Sequence, residues 1–95
     1  MKMTLGERVR AAAAALMQIT GESQADLAAA LGVSQTQISR RQSGSAAWSL
    51  SDCEALAAHY GIDALDLFAG PTRACDTLPP HRRRPPHPAP QGTPR

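Results

Sequence analysis

Only three aromatic residues, Trp48, Tyr60 and Phe68, occur in 95 residues, so a core must be filled mainly by aliphatic and small side chains. Cys53 and Cys75 are too far apart for a metal-ligand or redox motif, and Cys53 falls on an apolar helical stripe, where a buried free thiol is expected. His59, His81 and His87 lack ligand spacing, so no metal site is expected. There is no serine or cysteine beside a plausible base and no glycine-rich phosphate loop. The carboxylates fall mainly at helix starts, where capping accounts for them. These absences predict a non-enzyme without a cofactor or small-molecule ligand. Met1–Gly6 carries one lysine and precedes no long uncharged apolar run, so neither a signal peptide nor a membrane span is expected, and the protein should be cytoplasmic. No alternating strand pattern and no repeat is present, which predicts an all-α chain.

What is present divides at residue 70. All eight prolines lie beyond it. Residues 1–70 read as one helical domain, whereas 71–95, with HRRR and its proline pairs, predict a disordered basic tail. Charge divides at the same place: five cations against seven anions in 1–70, five arginines against Asp76 beyond it. The body is therefore no generic polycation, and any grip it has on a polyanion must be local. A core of this size predicts modest stability unless dimerisation adds to it.

Five segments open with the same punctuation: Thr4/Glu7, Ser23/Asp26, Ser34/Gln37, Ser49/Asp52 and, more weakly, Asp63/Asp66. In each, a capping side chain is followed three residues later by a group able to bond back to it, which predicts five helix starts. In the first helix Leu5, Val9, Ala12, Ala13, Leu16 and Ile19 recur at helical spacing, ending near Thr20-Gly21. In the fourth, Leu50, Cys53, Leu56, Ala57 and Tyr60 form the stripe and Gly61 stops it. A short fifth, about 64–69, is closed by Gly70-Pro71.

Residues 24–44, QADLAAALGVSQTQISRRQSG, describe two short helices across a tight turn. Leu27, Ala28 and Leu31 share an inner face, Gly32 ends the first helix, Val33 turns inward, and Ser34 starts the second, which runs from about Gln35 to Ser43. Its inner face holds Ile38, while Gln35, Thr36, Ser39 and Arg40 project outward, rich in donors and acceptors. The stretch resembles the phage-repressor and Cro-like helix-turn-helix family: Gln24, Leu27, Ala28, Gly32, Val33, Ser34, Ile38, Ser39 and Gly44 match its pattern in register. The resemblance covers roughly residues 4 to 70. It implies a compact five-helix lambda-repressor-like DNA-binding domain whose partner is double-stranded DNA.

The resemblance also implies roles. Gln35, Thr36, Ser39 and Arg40 are the candidate base readers in the major groove. Gln24, Ser34, Arg41, Ser43 and Gly44 are the candidate phosphate contacts. Trp48 has two readings, against the sugar-phosphate backbone or as a hydrophobic staple on the fourth helix. Two residues depart from the family pattern. Arg41 stands where an apolar residue is usual; either its stem covers apolar surface while its guanidinium reaches a phosphate, or it is merely tolerated and the recognition helix seats loosely. Glu22 removes an apolar staple and puts an anion on the DNA side. The first helix is about one turn longer than usual, so its N-terminus should project.

In the tail, Arg82, Arg83 and Arg84 have two readings, as a non-specific DNA contact or as solvated charge. Leu65 and Phe68 on the fifth helix are the expected homodimer surface. The leading expectation is a transcriptional repressor occupying a palindromic operator. Its rival is a protein-interaction module, antitoxin-like or a recruitment subunit, with the helix-turn-helix as scaffold and the tail as partner-binding segment.

Overall fold

The computed structural model describes residues 2–84, and six helices account for most of them: α1 (Leu5–Thr20), α2 (Gln24–Leu31), α3 (Gln35–Ser43), α4 (Leu50–Tyr60), α5 (Ala64–Phe68) and α6 (Pro71–Thr77), followed by a single 3₁₀ turn, Pro80–Arg82. Each of the first five starts with the expected reciprocal cap. At α3, the Ser34 Oγ accepts from the Gln37 N–H at 3.1 Å and the Gln37 Oε1 accepts from the Ser34 N–H at 2.8 Å. At α5 the Asp63 carboxylate accepts from the Leu65 N–H at 2.9 Å and the returning bond to Asp66 is long, 3.4 Å. This is the weaker start that its sequence implied. Left-handed glycines close α1 to α4, and at Gly44, φ +90°, the C-cap turns the chain directly back over α3.

The core is threaded by α1, which packs on α3, α4, α5 and α6. Its Ala12 and Ala13 are completely buried, so neighbouring helices approach the backbone closely, as the alanine-rich sequence predicts. Leu16, Leu27, Ile38, Leu56, Tyr60 and Leu67 supply the bulk from five different helices. Cys53 is buried and free. Its thiol is pushed up by burial, and further by the neighbouring Asp52, so it stays protonated at neutral pH.

Two expectations about the stripes need correction. Leu5 is 56 % and Leu50 74 % exposed. Both are the first residue of their helix, and side chains there lean past the helix end, beyond the packed turns. Met3 and Leu5 are exposed at the start of α1, whose Thr4 and Glu7 lie beside the loop that follows α3.

The folded structure also does not stop at residue 70. Gly70, at φ +109°, hands the chain to Pro71 at the first position of α6, a helix start that needs no N–H from proline. Ala74 and Leu78, four residues apart, are 0 % and 3 % exposed and belong to the same core as α1 and α5. The boundary expected at 70 failed because composition averages over the segment, whereas two apolar residues at helical spacing suffice to dock one short helix. The remainder of the expected tail, 85–95, lies outside the described residues.

Candidate nucleic-acid interface

The α2–α3 pair places α3 on the surface with one buried anchor, Ile38, at its inner face. Gln35, Thr36, Ser39 and Arg40 are all exposed along the opposite side. Gln37 lies among them in sequence, but its side chain is spent on the cap to Ser34. The Ser34 hydroxyl accepts the Gln37 N–H, which leaves its own proton to offer outward. Among the described residues Arg40 has neither an acidic partner nor a side-chain hydrogen bond, so a full guanidinium, with five donors, stands free near the end of the face.

Arg41, one residue on, has the opposite fate. Its Nε donates to the Asp52 Oδ2 on α4 at 2.9 Å, and its guanidinium carbon lies 5.7 Å from the centre of the Trp48 ring. The residue is turned in and mostly covered, 17 % exposed, so the reading in which it snorkels out to a phosphate is corrected: the nearby carboxylate takes the charge. Burial raises the Asp52 carboxyl, but the Ser49 backbone N–H and hydroxyl with the Arg41 guanidinium outweigh this and hold it below its ordinary range. A polar pair thereby does what an apolar residue would do at this position, tying α3 to α4.

The loop after α3 is built from the same helix end. The Ala46 N–H and the Ser43 Oγ both donate to the Arg40 carbonyl, at 3.2 and 3.1 Å, and the Ser43 Oγ lies 3.0 Å from the Ser45 Oγ. Ser43 and Gly44 therefore stand at a tight exposed corner. Trp48 follows, half-buried against the core, its indole N–H donating to the Gln42 Oε1 at 3.0 Å, while the Gln42 Nε2 donates to the Arg10 carbonyl at 3.1 Å. The structure thus gives Trp48 a packing role and ties the loop to α1 through Gln42.

One cation at this corner was missed by sequence reasoning. The Arg10 guanidinium of α1 lies over Gly44, so close that a side chain there would collide with its Nη1. Together with Thr4, Glu7 and Trp48 it lines a cavity of about 180 Å³ beside the loop. Glu7 faces the same cavity, its carboxyl held below the usual range by the Thr4 N–H, then the Thr4 hydroxyl, with a smaller contribution from Arg10. The only sequence signal was a cation adjoining Val9 on the inward stripe. Its destination, the corner more than thirty residues away, is not a local property.

Gln24 begins α2, half-buried, beyond the turn that holds Glu22 and the capping Ser23. Glu22 is not the free anion its sequence position implied: its Oε2 lies 2.8 Å from the His59 Nε2 and 3.6 Å from the Arg82 Nη2. Of the expected dimer pair, Leu65 is 71 % exposed, but Phe68 packs on the core and its carbonyl lies 3.5 Å from the Arg8 Nη1. Only Leu65 offers open apolar surface on α5. Arg82, Arg83 and Arg84 lie against the body, Arg82 half-buried and the other two exposed.

No helix among the described residues is long and apolar enough to cross a membrane. Residues 21–67 match the helix-turn-helix family model, a DNA-binding, non-enzymatic domain, which spans α2 to α5 and includes every candidate base reader. No curated protein and no solved structure matches the chain. The capped α2–turn–α3 pair, the outward polar face of α3 and the family match agree: residues 21–67 are a helix-turn-helix of the phage-repressor and Cro-like family of DNA-binding regulators.

Proposed function

We propose that the protein is a transcriptional repressor that occupies a palindromic or pseudo-palindromic operator as a homodimer, with α3 in the major groove of each half-site. The observation that carries this reading is the free polar face of α3: four exposed side chains ending in an unpaired Arg40, on a helix otherwise pinned by Ile38 and by the Arg41–Asp52 pair. Gln35 has the groups to pair bidentately with adenine, Arg40 with guanine, and Thr36 can touch a thymine methyl; a good bidentate pair is worth roughly 1–3 kcal/mol of discrimination. Gln24, Ser34, Ser43 and Gly44 flank this face at both ends, where phosphates of the two strands would lie, and Arg10 adds a cation to the Gly44 end. Leu65 is the apolar centre of the proposed dimer contact. Simple occupancy accounts for regulation, because α2 to α5 already make up the matched domain and occupancy alone blocks polymerase.

Selection from random duplex DNA at near-physiological salt tests the proposal. The expected product is a motif with two-fold symmetry and half-sites about one helical turn, roughly 10 bp, apart. A Leu65→Asp variant should then bind a single half-site and elute at a larger volume. An enriched motif without symmetry would overturn the dimer, and no enrichment would overturn the operator reading altogether.

A further inference from the structure

The strap that follows α6, Pro79–Arg84, lies outside the matched residues 21–67, yet its Arg84 lies against the turn that leads into them. The Arg84 N–H donates to the Ile19 carbonyl at 2.8 Å, which fixes the chain beside the end of α1. Three adjacent arginines are thereby delivered to one corner, and each is used differently.

Arg82 turns in. Its Nη2 donates to the His59 carbonyl at 2.9 Å, its guanidinium lies 5.6 Å from the Tyr60 ring centre, and it is 3.6 Å from the Glu22 Oε2. The His59 Nε2, 2.8 Å from that same carboxylate oxygen, must carry a proton to bond it. It therefore cannot also accept from Arg82, and the 3.2 Å approach of the two nitrogens brings two donors to one acceptor. Glu22 is thus the anion around which α4 and the strap close, and Arg82 cancels its charge. Arg83 turns sideways, donating to the Cys75 carbonyl at the end of α6.

Arg84 stays on the surface. Its side chain crosses Gly21, with Cδ 2.9 Å, Nε 3.5 Å and Nη1 3.6 Å from where a Cβ would stand, so a side chain at 21 would push it aside. No acidic partner holds it among the described residues. Gly21 is three residues before Gln24, a separation of at most about 10 Å along the chain. Duplex DNA carries one phosphate charge per roughly 1.7 Å of axis, so a phosphate adjoining the one expected at Gln24 falls within an arginine's reach.

We propose that the strap Pro79–Arg84 is a second, phosphate-binding edge of the DNA interface: Arg82 removes the repulsion that Glu22 would exert, and Arg84, laid across Gly21, takes a backbone phosphate flanking the bases read by α3. The inference rests on the DNA-binding function proposed above. It assigns the strap a share of affinity but none of the sequence preference, since a phosphate contact carries no base identity.

The test is a salt titration of binding by the full chain to a fluorescent mixed-sequence duplex, followed by anisotropy. Arg84→Gln should reduce the slope of log affinity against log salt by about 0.9, the value for one phosphate neutralised, and leave the thermal midpoint unchanged. Arg82→Gln should weaken binding at low salt, and adding Glu22→Gln should restore it, because the anion that Arg82 cancels is then gone. A wild-type slope in Arg84→Gln, or no recovery in the double variant when both fold, overturns the strap's role. Arg40→Ala distinguishes the two levels: if it weakens binding to the selected motif while Arg84→Gln binds as the wild type does, only the strap proposal falls. If the wild type binds no duplex, the DNA-reading function falls with it.

Discussion

Helix α3 and the strap Pro79–Arg84 each carry adjacent arginines and divide them in the same manner. In α3, Arg41 turns in upon Asp52 beside Trp48, and Arg40 stays free. In the strap, Arg82 turns in toward Glu22 beside Tyr60, and Arg84 stays on the surface. The difference is what decides the division. Helical register puts Arg41 three residues after the buried Ile38, on the inner side, so its direction follows from local geometry. Arg82 is directed by a non-local chain path, set when α6 docks on α1 and Leu78 enters the core. An arginine pair in a sequence therefore states how much charge is present but not how much of it is available.

Removing residues 71–95 should break this comparison most severely. It deletes buried Ala74 and Leu78 and uncovers the core beneath them, a loss on the order of 4 kcal/mol, which is most of what a domain of this size has to spare. The urea midpoint should collapse; an unchanged midpoint would mean that α6 adds nothing to the fold. Leu78→Ala isolates the same contact at a cost of about 2–3 kcal/mol.

Breaking the inner pair of α3 comes next. Asp52→Asn removes the Arg41 ion pair and weakens the reciprocal cap on Ser49, costing about 2 kcal/mol. Because the Asp52 carboxyl is held below its unfolded value, its contribution is fully present above about pH 4 and disappears as the pH falls through its folded value. The wild type and Asp52→Asn should therefore converge in stability on acidification, and a constant gap down to low pH would contradict the pair. Tyr60 behaves in the reverse sense at the alkaline end. Burial first, then the Glu22 carboxylate, pushes its hydroxyl up, so stability present below about pH 10 is lost above it. Tyr60→Phe should flatten that alkaline limb at little cost at neutral pH, since among the described residues its buried hydroxyl has no partner in good hydrogen-bond geometry.

The smallest effect concerns the thiols. Cys75 is half-buried and Cys53 fully buried, and burial pushes both up. A thiol reagent at neutral pH should label Cys75 slowly and Cys53 only on unfolding; equal rates in the native protein would contradict the packing of α4.

How far the sequence could be read follows from the same physics. The starts of α1 to α5 were legible because each cap is complete within four residues, and α2 to α4 stop at glycines that local geometry requires. The outward face of α3 was legible because helical spacing assigns Gln35, Thr36, Ser39 and Arg40 to the side away from Ile38. What stayed hidden depends on contacts across the chain. Arg10 meets Gly44, Arg41 meets Asp52, Glu22 is closed in by His59 and Arg82, and α6 docks on α1 despite lying in a proline-rich segment. In none of these does a residue's own neighbourhood name its partner.

The central claim is that Arg40 reads DNA while Arg41 holds the reading helix in place, and parallel selection of random duplexes by the wild type, Arg40→Ala and Arg41→Ala tests it most directly. Arg40→Ala should keep the wild-type thermal midpoint and lose preference at one base step in each half-site. Arg41→Ala should melt earlier and, where folded, enrich the wild-type motif. Loss of a base step in Arg41→Ala, with Arg40→Ala enriching the full motif, would contradict the account.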